Sequence, residues 1–215
     1  MIYYVPGCDF NRNHPEEGRM IKEFILSGNV KLGQCCRKEI DYLKKGDTLI
    51  TNCTLCDMMF AERCPDIQVI STYEYLLNEE RFVWPDYEGE AITLQDCWRA
   101  RNNPSIQEAV RKCLTNMNMH VVEMDENRNN SRYCGVWLNN PPAEDCVRLA
   151  PNTFYDLEKN YRKLLSAEEQ KTKMEAWVSQ YTTERTAVYC NGCEKGIRLG
   201  GGNPVHMIEL LVNRK

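Results

Sequence analysis

Nine of the 12 cysteines in this 215-residue chain fall into two copies of one ordered pattern. The first copy is Cys8, then the adjacent Cys35-Cys36, then Cys53-Thr-Leu-Cys56. The second is Cys97, then Cys134-Gly135, then Cys190-Asn-Gly-Cys193. Thiols collected in this way either ligate metal or pair with one another. A CxxC placed where a strand turns into a helix lets two thiolates converge on one metal, and the free amides of the helix N-terminus lower their pKa. One such pair is weak evidence. Two pairs, each preceded by further cysteines in the same order, are a strong metal signal, and thiolate-only sites select zinc or iron–sulfur. The first half offers five thiols, one more than a tetrahedral zinc site or an ordinary cubane cluster needs. Neighbouring side chains diverge in an extended segment, so Cys35-Cys36 suits a multi-iron cluster with a bridging thiolate better than a simple chelate.

Composition narrows the setting. The chain is 42% hydrophobic and 27% charged with a net charge of −4, which fits an ordinary soluble protein with a core and supplies no global basic field, so nucleic acid is not an expected partner. No stretch reaches the roughly 18 to 20 apolar residues that span a bilayer. The opening Met-Ile-Tyr-Tyr-Val-Pro-Gly-Cys lacks the basic segment and long apolar run of a secretory signal. A cytoplasmic, reducing location is therefore expected, where a dense disulfide framework does not persist and metal ligation is the better use of the thiols.

The elements that must position these thiols repeat as the thiols do. In the first half, Ile2 to Val5 reads as a strand ending at Pro6-Gly7-Cys8. Pro15, Glu16 and Glu17 open a helix with an apolar stripe of Met20, Ile21, Phe24 and Ile25, and Gly28 is placed to cap it. Val30-Lys31-Leu32 leads into Cys35-Cys36, and Thr48 to Thr51 is a strand delivering Cys53 to a helix through Met58, Met59 and Phe60. Ile67 to Ile70 is a further strand, and Tyr73 to Leu77 a closing helix. The second half follows suit: a strand at Ala91 to Leu94 ending in Asp96-Cys97, and a helix from Asn103-Pro104 carrying Ile106, Ala109, Val110, Cys113, Leu114 and Met117. A strand at His120 to Val122 leads through a polar loop to Tyr133-Cys134-Gly135. Helices over residues 153–165 and 167–181 are separated by Ser166-Ala-Glu-Glu169, which has capping-box spacing. Thr186 to Tyr189 then delivers Cys190, and His206 to Leu211 closes the chain. Alternating strands and helices predict an α/β fold of two pseudo-symmetric halves, residues 1–84 and 85–215, with mostly parallel strands. Such sheets hold ligands at the carboxyl ends of their strands, where this pattern places its cysteines.

The order Cys…Cys-Cys…CxxC, twice in one chain, resembles the cysteine-rich CCG domain found in the CCG subunit of heterodisulfide reductase. Related domains occur in the iron–sulfur subunits of lactate-utilisation and anaerobic glycerol-3-phosphate dehydrogenase systems. The resemblance takes in Asp96-Cys97-Trp98-Arg99 and the His206-x-x-Glu209-Leu-Leu211 ending. It implies that Cys8, Cys35, Cys36, Cys53 and Cys56 hold one [4Fe–4S] cluster, the non-cubane type being one of its forms. Cys97, Cys134, Cys190 and Cys193 would hold a second [4Fe–4S] cluster, although four thiols leave that half open to a cubane cluster, a zinc ion or nothing. It also implies an oxidoreductase subunit that takes electrons from a partner iron–sulfur or flavin protein and passes them to a small disulfide or a related acceptor. The chain departs from the pattern at Arg37, where the motif glycine is expected, at Tyr133, where the first cysteine of the second pair is expected, and in both CxxC pairs, which lack a proline. Its substrate is therefore not carried over from any relative.

Other residues have plainer readings. Cys113 lies on an apolar helix face and reads as packing. Cys64 reads as packing or a spare thiol; Cys146 has no periodicity to interpret, and a substitute ligand for the second half is only its lesser reading. His206 reads as a helix-start residue supporting a site rather than ligating. Gly200-Gly-Gly202 lacks the lysine of a phosphate loop and reads as a turn. Arg37, Arg99 and Arg101 have an electrostatic reason to lie beside thiolates and could also orient an anionic substrate. Three functional classes follow: a redox enzyme or electron relay, a zinc-stabilised binding module without chemistry, and a metal-free dithiol protein acting by thiol–disulfide exchange. Five thiols in the first half favour the first over the second, and the many extra ligands disfavour the third.

Overall fold

The computed structural model describes residues 1–212, apart from the side chains of residues 156 and 158. In the first half, β1 (Ile2–Val5), α1 (Cys8–Asn13), α2 (Pro15–Leu26), β2 (Lys31–Leu32), β3 (Thr48–Thr51), α3 (Thr54–Arg63), β4 (Gln68–Ser71) and α4 (Thr72–Leu77) follow one another. The second half runs β5 (Ala91–Gln95), α5 (Pro104–Asn116), β6 (His120–Glu123), α6 (Glu144–Leu149), α7 (Pro151–Asn160), α8 (Ala167–Val178), β7 (Thr186–Val188), α9 (Asn191–Leu199), β8 (Pro204–His206) and α10 (Met207–Val212). Among the described residues the strands form two four-stranded, all-parallel sheets of the same order, β2-β1-β3-β4 and β6-β5-β7-β8. The fold is α/β with its strands parallel throughout.

The central strands are buried on both faces, as parallel strands covered by helices must be. Tyr4, Leu49, Ile50, Ile92, Leu94 and Ala187 carry essentially no exposed surface. One continuous apolar core runs through both halves. The halves meet reciprocally: α4 packs on α5, and α10 packs on α2. Tyr73 and Tyr189 meet edge to face across this seam, and the Tyr87 hydroxyl donates to the Leu210 carbonyl at 2.9 Å.

Local signals account for most element boundaries. The Asn103 side chain accepts from the Ile106 amide and Pro104 fills the first helical position of α5. Ser166 with Glu169 forms a reciprocal capping box on α8, and Ser71 with Glu74 does the same on α4. Several expectations are adjusted. Met20 is 42% exposed, so the buried stripe of α2 is Gly18, Ile21 and Ile25, and the helix ends at Ser27 rather than at a glycine cap. The helices α1 and α6 and the strand β8 were not expected. The strand β8 begins at Pro204, which sits where an edge strand tolerates a residue without an N–H. No helix among the described residues is long and apolar enough to cross a membrane.

Candidate metal centre

Parallel register brings the second set of thiols together. Gln95 of β5 pairs with Val188 of β7, so Cys97 and Cys190, each two residues further on, leave the sheet side by side. Cys190 is the N-cap of α9, and Cys193 lies one turn into that helix. Cys134 arrives from the loop after β6, which is tied to the end of β5. Asp96 accepts from the Arg128 amide at 2.7 Å, Ser131 Oγ donates to the Asp96 carbonyl at 2.8 Å, and the Trp98 amide donates to the Tyr133 carbonyl at 2.7 Å. The carboxylate of Asp96 is itself held by the Arg111 guanidinium at 2.6 Å and the Tyr189 hydroxyl at 2.7 Å. The sulfurs of Cys97, Cys134, Cys190 and Cys193 lie within 4.8 Å of one another, and all four residues are buried.

This donor set fits a thiophilic metal. A tetrahedral ion with metal–sulfur bonds of about 2.3 Å holds its sulfurs about 3.8 Å apart, and Cys97 and Cys134 stand at 3.6 Å. A four-iron cluster places its own iron and sulfide between the thiolates and needs the set to spread. Without a cation the set shares its charge unevenly. Hydrogen bonds from Cys134, Cys193 and Cys97 hold the Cys190 thiol well below its ordinary pKa, while burial pushes Cys97 and Cys193 up. Full ionisation of the four therefore requires a positive charge among them.

The first set of thiols is arranged differently. Val5 pairs with Thr51, so Cys8 at the start of α1 and Cys53 at the N-cap of α3 emerge from neighbouring strands. Cys35-Cys36 follows β2 in a turn closed by the Lys38 amide on the Cys35 carbonyl, and Arg63 of α3 donates to the carbonyls of Cys36 and Lys38. Successive sulfurs form a chain, Cys8–Cys35–Cys36–Cys56–Cys53, with Cys36 and Cys56 at 3.4 Å. Cys36 and Cys56 are buried, Cys35 and Cys53 half-buried, and Cys8 exposed. Hydrogen bonds from Cys36 and Cys8 push the Cys35 thiol strongly down, and one from Cys56 lowers Cys53.

The two sets adjoin. Thr54 Oγ1 lies 4.0 Å from Cys97 Sγ. A cavity of about 150 Å³ is lined by Cys8, Cys36, Cys53 and Cys56 from one half and by Cys190 from the other. Arg99 enters the same cavity with its guanidinium 5.2 Å above the Trp137 ring. Burial works against its charge, but Cys134, Cys190, Cys97 and Cys53 raise its pKa in sum, so one cation serves both groups. Arg12 and Arg37 complete a basic rim.

The remaining candidates separate from these sets. Cys113 is buried on α5 with its sulfur 3.8 Å from the Tyr73 carbonyl. Cys64 caps the end of α3. Cys146, whose place the sequence left open, lies on α6 beside Arg37, which is also paired with Asp145 at 3.3 Å, and so neighbours the first thiol set. Tyr133 fills the missing cysteine's place with a ring stacked on Trp177 and a hydroxyl 3.4 Å from both the Cys193 carbonyl and Met174 Sδ. Arg101 stacks over Tyr161, away from the thiols. Gly200 to Gly202 joins α9 to β8 as a turn. Sequence reasoning missed Arg111, because an arginine on the core side of α5 interrupts the apolar period instead of extending it. It also missed Trp137, which reaches the cavity from a short 3-10 turn (Gly135–Leu138) with no periodicity of its own.

The chain is thus a cysteine-rich α/β protein with a buried four-thiol group able to hold a metal or cluster. Comparison with protein-family models, with curated proteins and with solved structures returns no match.

Proposed function

We propose that the chain is a metal–sulfur oxidoreductase component of the type its cysteine order resembles, the CCG subunits of heterodisulfide reductase. In this reading the first thiol set holds a [4Fe–4S] cluster that faces substrate, and the second holds a metal or cluster in a closed site. The observation that carries the reading is the difference in access between two adjoining sets. Cys8, Cys35 and Cys53 are exposed or half-buried and four of the five thiols line a cavity, whereas Cys97, Cys134, Cys190 and Cys193 are all buried.

A cluster bound by the first set would supply electrons one at a time next to the cavity. Cleavage of a disulfide RS–SR′ takes two electrons and two protons and yields RSH and R′SH, with the electrons coming from a partner iron–sulfur or flavin protein. Arg99, Arg12 and Arg37 offset the negative charge that develops on the departing sulfurs. Trp137 and Leu55 supply apolar wall to the cavity. A cytoplasmic location belongs to this reading.

The spacing of the second set supports another reading, a zinc-stabilised binding module, because 3.6 Å between Cys97 and Cys134 matches an edge of a single-ion tetrahedron. Anaerobic purification with iron, sulfide and zinc measured per chain decides between them. About four iron and four sulfide per chain, with or without one zinc, supports the redox component. Zinc with no iron after reconstitution leaves the binding module. Reduced, iron-loaded protein mixed with a panel of small disulfides should then give a new paramagnetic thiol-bound state by EPR. No change with any disulfide, alongside fast exchange with a donor protein, reduces the role to an electron relay.

A further inference from the structure

A second group of metal-binding side chains, with His14 and Glu194 buried and Glu209 half-buried, contains no sulfur. His14 joins α1 to α2 in the first half, Glu194 lies on α9 and Glu209 on α10 in the second, and one ligand atom from each lies within 4.8 Å of the other two. His14 Nε2 is 2.9 Å from Glu194 Oε2, and His14 Nδ1 is 3.6 Å from Glu209 Oε2, too far for a hydrogen bond. Each carboxylate has its other oxygen already fixed. Glu194 Oε1 accepts from Arg198 at 3.0 Å, and Glu209 Oε1 accepts from the His206 amide at 2.7 Å. One free oxygen of each is therefore turned toward the imidazole, the arrangement by which outer hydrogen bonds orient metal ligands.

Charge points the same way. Glu17 bears on Glu209 as a third carboxylate, and Arg198 pairs with Glu194, so carboxylates outnumber guanidinium groups here and the excess suits a divalent cation. The fully buried ring of His206 lies beside His14, at 6.1 Å between centroids. Its Nδ1 accepts from the Ile208 amide, which leaves the proton on Nε2, and that atom has no partner among the described residues.

We propose that His14, Glu194 and Glu209 bind a divalent first-row transition cation that pins the first half of the chain to the second. One imidazole and two carboxylates suit manganese, which thiolate sets do not select, so Mn2+ tells this site from the thiol sets. The competing account is a protonated His14 bridging two carboxylates with no metal.

The test is titration of Mn2+ into full-length protein whose thiol sites have been filled anaerobically, followed by loss of the free-ion EPR signal. Co2+ serves as a tighter probe whose bands at a nitrogen–oxygen site lack thiolate charge transfer. One ion per chain is expected, with affinity falling at least tenfold in His14→Asn and in Glu209→Gln. Because either variant could fold poorly, the bound Mn2+ of the unaltered protein is also examined by electron spin echo, where coupling to one histidine nitrogen is expected. Absence of stoichiometric binding by both ions, equal binding by folded variants, or no nitrogen coupling overturns the proposal.

Discussion

The α-carbon of Gly135 faces the carbonyl of Gly192 so closely that a β-carbon on Gly135 would stand 1.8 Å from that oxygen. Gly135 also has φ +45°, in the left-handed region where side chains are strained. The contact lets the turn after Cys134 press onto the first turn of α9, between Cys190 and Cys193. The glycine that follows Cys134 is thus a requirement of closing the four-thiol set, and the first half, with Arg37 in the equivalent place, leaves its thiols in an open chain.

Gly135→Ala should therefore cost about 3 kcal/mol or more, combining backbone strain with a clash against backbone that has no flexible end to yield. Gly46 has φ +84° but open space around it, so Gly46→Ala carries strain alone and should cost about 1 kcal/mol. Urea unfolding of the two variants checks the difference. Equal losses would mean that the close approach to Gly192 relaxes freely.

The sheets were legible because parallel, doubly buried strands write themselves as apolar runs ending in cysteine, and the duplicated order of the thiols forecast a repeat of strands and helices, though not the strand order. The nine thiols picked out from the sequence do come together in two groups. What distinguishes the two sets was not legible. The closure of one set depends on Asp96 gathering a loop over thirty residues away in sequence, and on Gly135 meeting Gly192, both long-range packing facts with no local signature. Cys146 was not legible, because its sequence neighbours have no periodicity and only the packing of α6 carries it to Arg37 of the first half. His14, Glu194 and Glu209 are scattered over nearly the whole chain, and only the docking of α9 and α10 beside α1 and α2 assembles them.

Serine substitution should sort ligands from packing. Cys97→Ser, Cys190→Ser or Cys193→Ser removes one donor from a buried four-thiol set and should lower bound metal per chain at least tenfold in affinity. Cys113→Ser places a hydroxyl on the inner face of α5 and should cost about 1 to 3 kcal/mol with metal content unchanged. Elemental analysis beside thermal unfolding reads both. Loss of metal in the Cys113 variant would contradict the division.

Arg111 is the support beneath Cys97. It donates at 2.6 Å to Asp96, which has no exposed surface, and at 2.6 Å to Glu123. Removing it leaves a buried carboxylate short of its cation, so Arg111→Ala should cost about 3 to 5 kcal/mol. The double variant Arg111→Met with Asp96→Asn should lose much less than the sum of the single losses, because the uncompensated charge is gone. A double-mutant cycle by denaturant unfolding measures this, and additive losses would show that the pair is not coupled.

Acid should destabilise the protein through His206. Burial pushes its imidazole down to about 4 from an ordinary 6.5, outweighing the opposite pull of the Glu194 charge, and its side chain has no exposed surface. The unfolded chain takes up the proton as pH falls through 6.5, whereas the folded chain takes it up only near 4. Stability from this group is therefore complete above pH 6.5 and is lost progressively down to pH 4, by about 3 kcal/mol in all. His206→Asn retains an oxygen able to accept from the Ile208 amide but cannot be protonated in this range. The variant should be less stable than the unaltered protein at pH 7.5 through lost packing against Phe10, and the gap should narrow or reverse by pH 4. Urea unfolding free energies at pH 7.5, 6, 5 and 4 give the comparison as a difference between two profiles, in which the other titrating groups cancel. A constant gap across the range would show that His206 is protonated as readily inside the fold as outside it.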